Sequence, residues 1–201
     1  MQNNVTAHPI VISLSKFISN FFNPLTSLFL YFAYYSNKHY DLKKSLYEFL
    51  PILLILILPI SGWIYWNVRR GNYTNMDVSN RKQRNSLYIF IAVAMLVYLL
   101  INFMIDGQID YKMLFLFILL ILMQVSNYFI KSSMHTAINI FAAALFFAQN
   151  QILGLAWLFI AVLVGITRII LKRHTPKEVL MGAAIASIVS FFYLYIYIQN
   201  Q

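Results

Sequence analysis

An all-α bundle of six or seven transmembrane helices, forming a single membrane domain over residues 1–201, is the fold this sequence predicts. Three observations predict it. Hydrophobic residues make up 61% of the chain and charged ones only 10%, which is not the composition of a water-soluble domain. Apolar runs near the ~20 residues needed to cross a bilayer recur along the whole length. Those runs lack the two-residue alternation of strands, and a lipid-exposed chain must satisfy its backbone internally.

The runs fall at about 12–35, 46–66, 86–105, 112–130, 136–150, 153–171 and 178–198. The first is the most interrupted, by Ser13, Ser15, Lys16, Ser19, Asn20, Asn23 and Pro24. It either spans, lies along the interface, or enters and leaves on one face, hence six or seven crossings. No basic region of the kind that precedes a cleaved leader stands before it, so this helix is expected to stay in the membrane. The second and third runs flank a polar stretch holding Asp77, Arg81, Lys82 and Arg84. The fourth ends at Lys131-Ser132-Ser133-Met134-His135-Thr136, where the fifth begins. Only Gln149 to Gln151 separate the fifth from the sixth, and Lys172 to Glu178 lead into the seventh. No soluble domain, repeat or linker is expected.

Cysteine is absent, which removes disulfides, thiolate nucleophiles and cysteine metal sites. The net charge of +9 sits in short interhelical loops and reads as headgroup contact and topology, not as nucleic-acid binding. Trp63, Trp66 and Trp157 fit an interfacial belt or the core, and His8 and His39 read as surface residues without a role.

Each crossing switches sides, so the loops after the second, fourth and sixth runs share one face. Those three loops hold Arg81 to Arg84, Lys131 to His135, and Lys172 to Glu178. Every cluster pairing a histidine with cations therefore converges on one side, whether or not the first run spans. More Lys and Arg lie there than opposite, which by the positive-inside rule suggests a cytoplasmic site, but that excess includes cations a phosphate would need, so either face stays open.

The third cluster has a definite local geometry. Thr175-Pro176-Lys177-Glu178 reads as an N-cap, a proline at the first helical position and a glutamate at the third, which is a capping box. His174 precedes this helix and Glu178 lies one turn inside it, near enough to hydrogen-bond an imidazole. Ser132 or Ser133 caps the helix that starts near His135, and such a start offers N–H groups to an anion. Arg168 ends an apolar run and needs an anionic partner. Two imidazoles, a carboxylate, fixed cations and a helix start are the parts of a phosphate site.

These residues resemble the motifs of the type 2 phosphatidic acid phosphatase superfamily, the membrane lipid phosphatases related to vanadium haloperoxidases. The third motif of that family, Ser-Arg, five residues, His, three residues, Asp, stands here as Thr167-Arg168, His174 and Glu178 with its spacing intact. The second, Pro-Ser-Gly-His, stands as Ser132-Ser133-Met134-His135, with the serine and histidine kept. Of the first, Lys, six residues, Arg-Pro, only Arg84 is kept. Asp77 takes the lysine position and Asn85 the proline position, and Arg81 or Lys82 supplies the missing cation. The resemblance covers about residues 77–182 and sets the chain on a divergent branch, with a helical hairpin between the first two motifs. It implies that His174 is the nucleophile forming a phosphohistidine, that Glu178 orients it, and that His135 protonates the leaving group. It implies phosphate contacts for Arg84, Ser133 and Arg168, with Lys131 and Arg81 as neighbouring cations, and it needs no metal or cofactor.

The expected activity is hydrolysis of a lipid-linked phosphate or pyrophosphate in a bacterial inner membrane, with a lipid phosphate and the bilayer as partners and no nucleic acid. Each part has a plainer reading: Glu178 as a cap alone, His135 as an interfacial residue, Arg81 and Arg84 as topology determinants. Two rival functions stand beside it. A metal site of His135, His174 and Glu178 leaves the clustered cations unexplained. A transporter or flippase for an anionic lipid would use the arginines but would not require two histidines.

Overall fold

The computed structural model describes residues 8–78 and 80–200. Among these the chain is helical, with no strand: α1 (Pro9–Phe21), α2 (Pro24–His39), α3 (Leu42–Pro51), a π-helical stretch (Ile52–Ile57), α4 (Leu58–Arg69), α5 (Arg81–Asp106), α6 (Tyr111–Phe129), α7 (Met134–Gln149), α8 (Gln151–Ile170) and α9 (Pro176–Gln199). Five helices are long and apolar enough to cross a membrane: Leu42–Arg69, Arg81–Asp106, Tyr111–Phe129, Gln151–Ile170 and Pro176–Gln199. The expected six or seven is therefore not reached by length. α1 and α7 are apolar but shorter, and the 16 residues of α7 rise about 24 Å against a ~30 Å hydrocarbon core.

The distribution of side chains is that of a protein dissolved in lipid. Met104 is 83% exposed and Phe129 81%, while Asn127, Asn139, Ser133 and Arg168 are buried. Water would penalise that surface, but hydrocarbon does not distinguish an outward leucine from its own tails. Polar groups instead seek each other in the interior.

The chain forms two compact units. One takes the described residues up to Tyr31 together with Ser132–Ser187; the other takes Phe32–Lys131 and the residues from Ile188 onward. In the first, α7 and α8 make the most extensive helix–helix contact. α7 is buried nearly all round because Ala137, Ala142, Ala143 and Ala144 admit close neighbours. Gly154 of α8 lies so near Phe147 that an added Cβ would sit 2.4 Å from its Cα.

The first apolar run, expected as one segment over 12–35, is two helices broken at Phe22-Asn23. Pro24 lacks the N–H that would continue α1, and Asn23 restarts the helix by accepting from Thr26 N–H at 3.0 Å. The break would leave carbonyls unsatisfied in an apolar interior. Asn139 of α7 satisfies one: its amide donates to Phe22 O at 2.9 Å and to His135 O at 2.8 Å, and accepts from Ser27 Oγ at 2.9 Å. With Tyr31 edge-on to Phe146, the chain from Phe22 to Tyr31 follows α7 from near its start toward its end. α1 itself is inverted: Ser15 and Ser19, one turn apart, are buried, while Ile10, Leu14 and Phe17 face outward. His8, expected to have no role, caps this helix through Nδ1.

In the second unit, α3, the π stretch and α4 continue as one 28-residue helix. Pro51, its tenth residue, interrupts the regular ladder, and the N–H of Leu58 reaches back five residues to Leu53 O. α5 and α6 are tied by a polar clasp. Asn127 donates to Asn85 Oδ1 at 2.7 Å and to Arg81 O at 3.2 Å, while Arg81 returns Nε to Asn127 O at 2.6 Å and Nη2 to Tyr128 O.

Candidate active site

The end of α8 reverses the chain in a Schellman motif. Lys172 sits in the left-handed region at φ +53°, its N–H returns to Ile169 O at 2.9 Å, and Arg173 N–H returns to Arg168 O at 3.0 Å. Glycine is the usual residue there because a Cβ in that conformation costs roughly 1–2 kcal/mol. Lys172→Gly is therefore expected to raise stability by about 1 kcal/mol, read as a higher midpoint of thermal unfolding in detergent. An unchanged or lower midpoint would show that the lysine side chain offsets the strain.

This tight reversal delivers His174 to the threshold of α9. Its N–H also returns to Arg168 O, at 3.2 Å, so the backbone of the histidine is fixed to the helix that carries the arginine. The imidazole is buried, and Nδ1 lies 2.9 Å from Glu178 Oε2. The same carboxylate oxygen accepts Thr175 N–H at 3.1 Å, and Thr175 Oγ1 accepts Glu178 N–H at 3.3 Å. The capping box and the imidazole–carboxylate pair are thus one structure. A carboxylate on Nδ1 keeps the proton on that nitrogen and leaves the lone pair on Nε2.

The start of α7 is bound to the start of α9. Ser133 N–H donates to Glu178 O at 3.0 Å, backbone to backbone. Gly182, one turn further along α9, permits this approach: a Cβ there would sit 2.7 Å from Ser133 O. Gly165 of α8 is similarly close, with its Cβ position 3.1 Å from Val179 and 3.5 Å from Thr136. Ser133 Oγ caps α7, accepting Thr136 Oγ1 at 3.0 Å and Thr136 N–H at 3.4 Å. His135, half-buried, is the second residue of the helix so capped. Arg168 is 5% exposed, and its Nη1 donates to Ser19 Oγ of α1 at 3.0 Å.

Of the expected site residues, His135, His174, Glu178, Arg168 and Ser133 belong to one unit, where the ends of three helices meet. Arg84, Arg81 and Lys131 belong to the other. There Arg84 is buried in the first turn of α5 with its guanidinium 5.9 Å from the Tyr88 ring centre. Arg81 spends its guanidinium on the last carbonyls of α6, and Lys131 lies half-buried in the link after that helix. Sequence reasoning missed Ser19, Asn139 and Gly182. Ser15 and Ser19 carried a signal, since two serines four apart in an apolar run mark one helix face. Among the described residues no three His, Asp or Glu side chains come together as a metal-binding group, so His135, His174 and Glu178 do not stand as a two-histidine, one-carboxylate ligand set.

Comparison with protein-family models, with curated proteins and with solved structures returned no match.

Proposed function

We propose that this chain is a membrane phosphatase that cleaves a lipid-linked phosphate or pyrophosphate through a phosphohistidine, with no metal in the reaction. The observation that carries the proposal is the buried His174–Glu178 pair at 2.9 Å, fixed by backbone to Arg168 and to the start of α7. In the first step the Nε2 lone pair of His174 forms a bond to phosphorus while the bond to the leaving oxygen breaks. Glu178 accepts the Nδ1 proton as a hydrogen bond and stabilises the positive charge developing on the ring. His135, in its imidazolium form, gives a proton to the departing oxygen, a contribution of roughly 10²–10⁴-fold. In the second step His135, now neutral, takes a proton from water as the water oxygen attacks phosphorus. The P–N bond then breaks, its electron pair returns to Nε2, and phosphate leaves. Arg168 stabilises charge on the equatorial oxygens, which is the main demand of phosphoryl transfer.

In this reading α7 and the broken α1–α2 pair are further crossings, sheathed by other helices or inverted toward lipid, and the protein resides in a bacterial inner membrane. The test is phosphate release by the purified protein in bilayers over a panel of lipid phosphates and pyrophosphates, with chelator and with vanadate. Vanadate is expected to inhibit at concentrations well below the substrate KM, because its five-coordinate form mimics in-line transfer. EDTA is expected to have no effect. Activity lost to EDTA and restored by a divalent ion would favour metal catalysis, and lipid binding or movement without phosphate release would favour a transporter.

A further inference from the structure

We propose that Ser19 of α1 is a positioning residue for Arg168, setting the orientation of the guanidinium that receives phosphate. The inference rests on the phosphatase reading of the site and adds to it a residue 149 positions away in sequence. Ser19 is 1% exposed, Arg168 is 5% exposed, and their 3.0 Å hydrogen bond is shielded from water. Hydrogen bonds to charged groups in such surroundings are stronger than neutral ones, and removing one partner leaves the other unsatisfied.

The design of α1 is directed at this contact. Ser19 turns inward to Arg168 of α8 and Ser15, one turn before it, is buried, while Ile10, Leu14 and Phe17 face out. In lipid the outward residues are at no disadvantage, so the inward serines are the part of this helix that requires a protein partner. Serine suits the task chemically. Its oxygen orients one N–H of the planar fork, yet it carries no charge, so the guanidinium keeps its full attraction for an anion. A carboxylate in the same place would hold the arginine more firmly and cancel the charge the substrate needs. A fixed fork also matters because small displacements of a group that holds the reacting phosphate cost about 10²-fold in rate.

The experiment compares Ser19→Ala, Ser19→Thr and Ser19→Asp in the full-length protein, reading kcat and KM for a lipid phosphate, vanadate affinity and thermal midpoint. Ser19→Ala is expected to raise KM and weaken vanadate about tenfold, with kcat reduced, and Ser19→Thr to restore both. Ser19→Asp is expected to keep or raise the midpoint while weakening vanadate at least as much as alanine does. In an Arg168→Gln background, Ser19→Ala is expected to change anion affinity no further, because the charge it orients is gone. If Arg168→Gln fails to fold, the Ser19→Asp result decides alone. A Ser19→Ala variant that shifts only the midpoint, or whose effect multiplies with that of Arg168→Gln, overturns the proposal. If the unaltered protein binds vanadate without turnover, the phosphatase reading falls and this inference is judged on vanadate binding. If it does neither, both fall.

Discussion

His174→Ala is expected to remove covalent phosphorylation and turnover together, lowering kcat by at least about 10⁴-fold, the scale on which nucleophile knock-outs act. His135→Ala should behave differently according to the leaving group. A lipid alcohol departs poorly without a proton, so the variant should lose roughly 10²–10⁴-fold on the lipid substrate. An activated aryl phosphate needs little protonation and should be cleaved at nearly the unaltered rate. Glu178→Gln should fall between the two histidine variants. The amide oxygen can still accept from Thr175 N–H and His174 Nδ1, which keeps the helix start intact, but the charge that stabilises the developing imidazolium is lost. Rapid-quench trapping of the phosphoenzyme with steady-state rates on both substrates measures all of this. Phosphoenzyme persisting in His174→Ala would move the nucleophile elsewhere, most plainly to His135. Equal losses by both histidine variants on both substrates would refute the division of labour.

Gly182→Ala should be the single methyl that most disturbs the junction of α7 with α9 without touching a reacting group. The new Cβ would meet Ser133 O at 2.7 Å and Ser133 N at 3.1 Å. Both obstacles are backbone, so no rotamer change makes room, and the start of α7 must move away from α9. Alanine favours helix over glycine by up to about 1 kcal/mol, but overpacking a close helix contact costs roughly 1–3 kcal/mol, so the net is destabilising. At about 2–4 °C per kcal/mol for a chain of this size, the thermal midpoint should fall by several degrees. The larger effect is on rate. Breaking the Ser133–Glu178 backbone bond shifts His135 relative to the His174–Glu178 pair. A displacement near 1 Å is expected to lower kcat about 10²-fold. Unaltered turnover in Gly182→Ala would mean that the junction of α7 with α9 does not set the geometry of the reaction.

How much of this was legible in the sequence depended on distance along the chain. Apolar runs located the helices from 46–66 onward because burial in lipid is written residue by residue. The runs stopped short of the true ends where the terminal turns are polar. α5 begins at Arg81, five residues before the run expected from position 86, because Asn80 caps a first turn of Arg, Lys and Gln. The capping box at Thr175 and the His174–Glu178 pair were legible because all their atoms lie within five residues. The break at Phe22 was marked by Asn23 and Pro24, but its tolerance depends on Asn139, more than a hundred residues later. Arg81 looked like a free cation because nothing local shows that it faces the carbonyls of α6. Gly182 left no trace, since a glycine in an apolar helix announces nothing about the backbone beside it.

The contact between Ser19 and Arg168 also sets a timetable. Ser19 leaves the ribosome 149 residues ahead of its partner, which at about 5–20 residues per second is an interval of roughly 7–30 s. Through that interval the inward face of α1 has no guanidinium to meet. An amphipathic helix of 13 residues has a stable place to wait, flat in the headgroup layer with its apolar side in the acyl chains. Seating α1 against α8 is then a late event of biogenesis. A nascent chain truncated before Arg168 would carry its earlier spans in the membrane while α1 still lay on the surface, open to reagents that a finished molecule excludes.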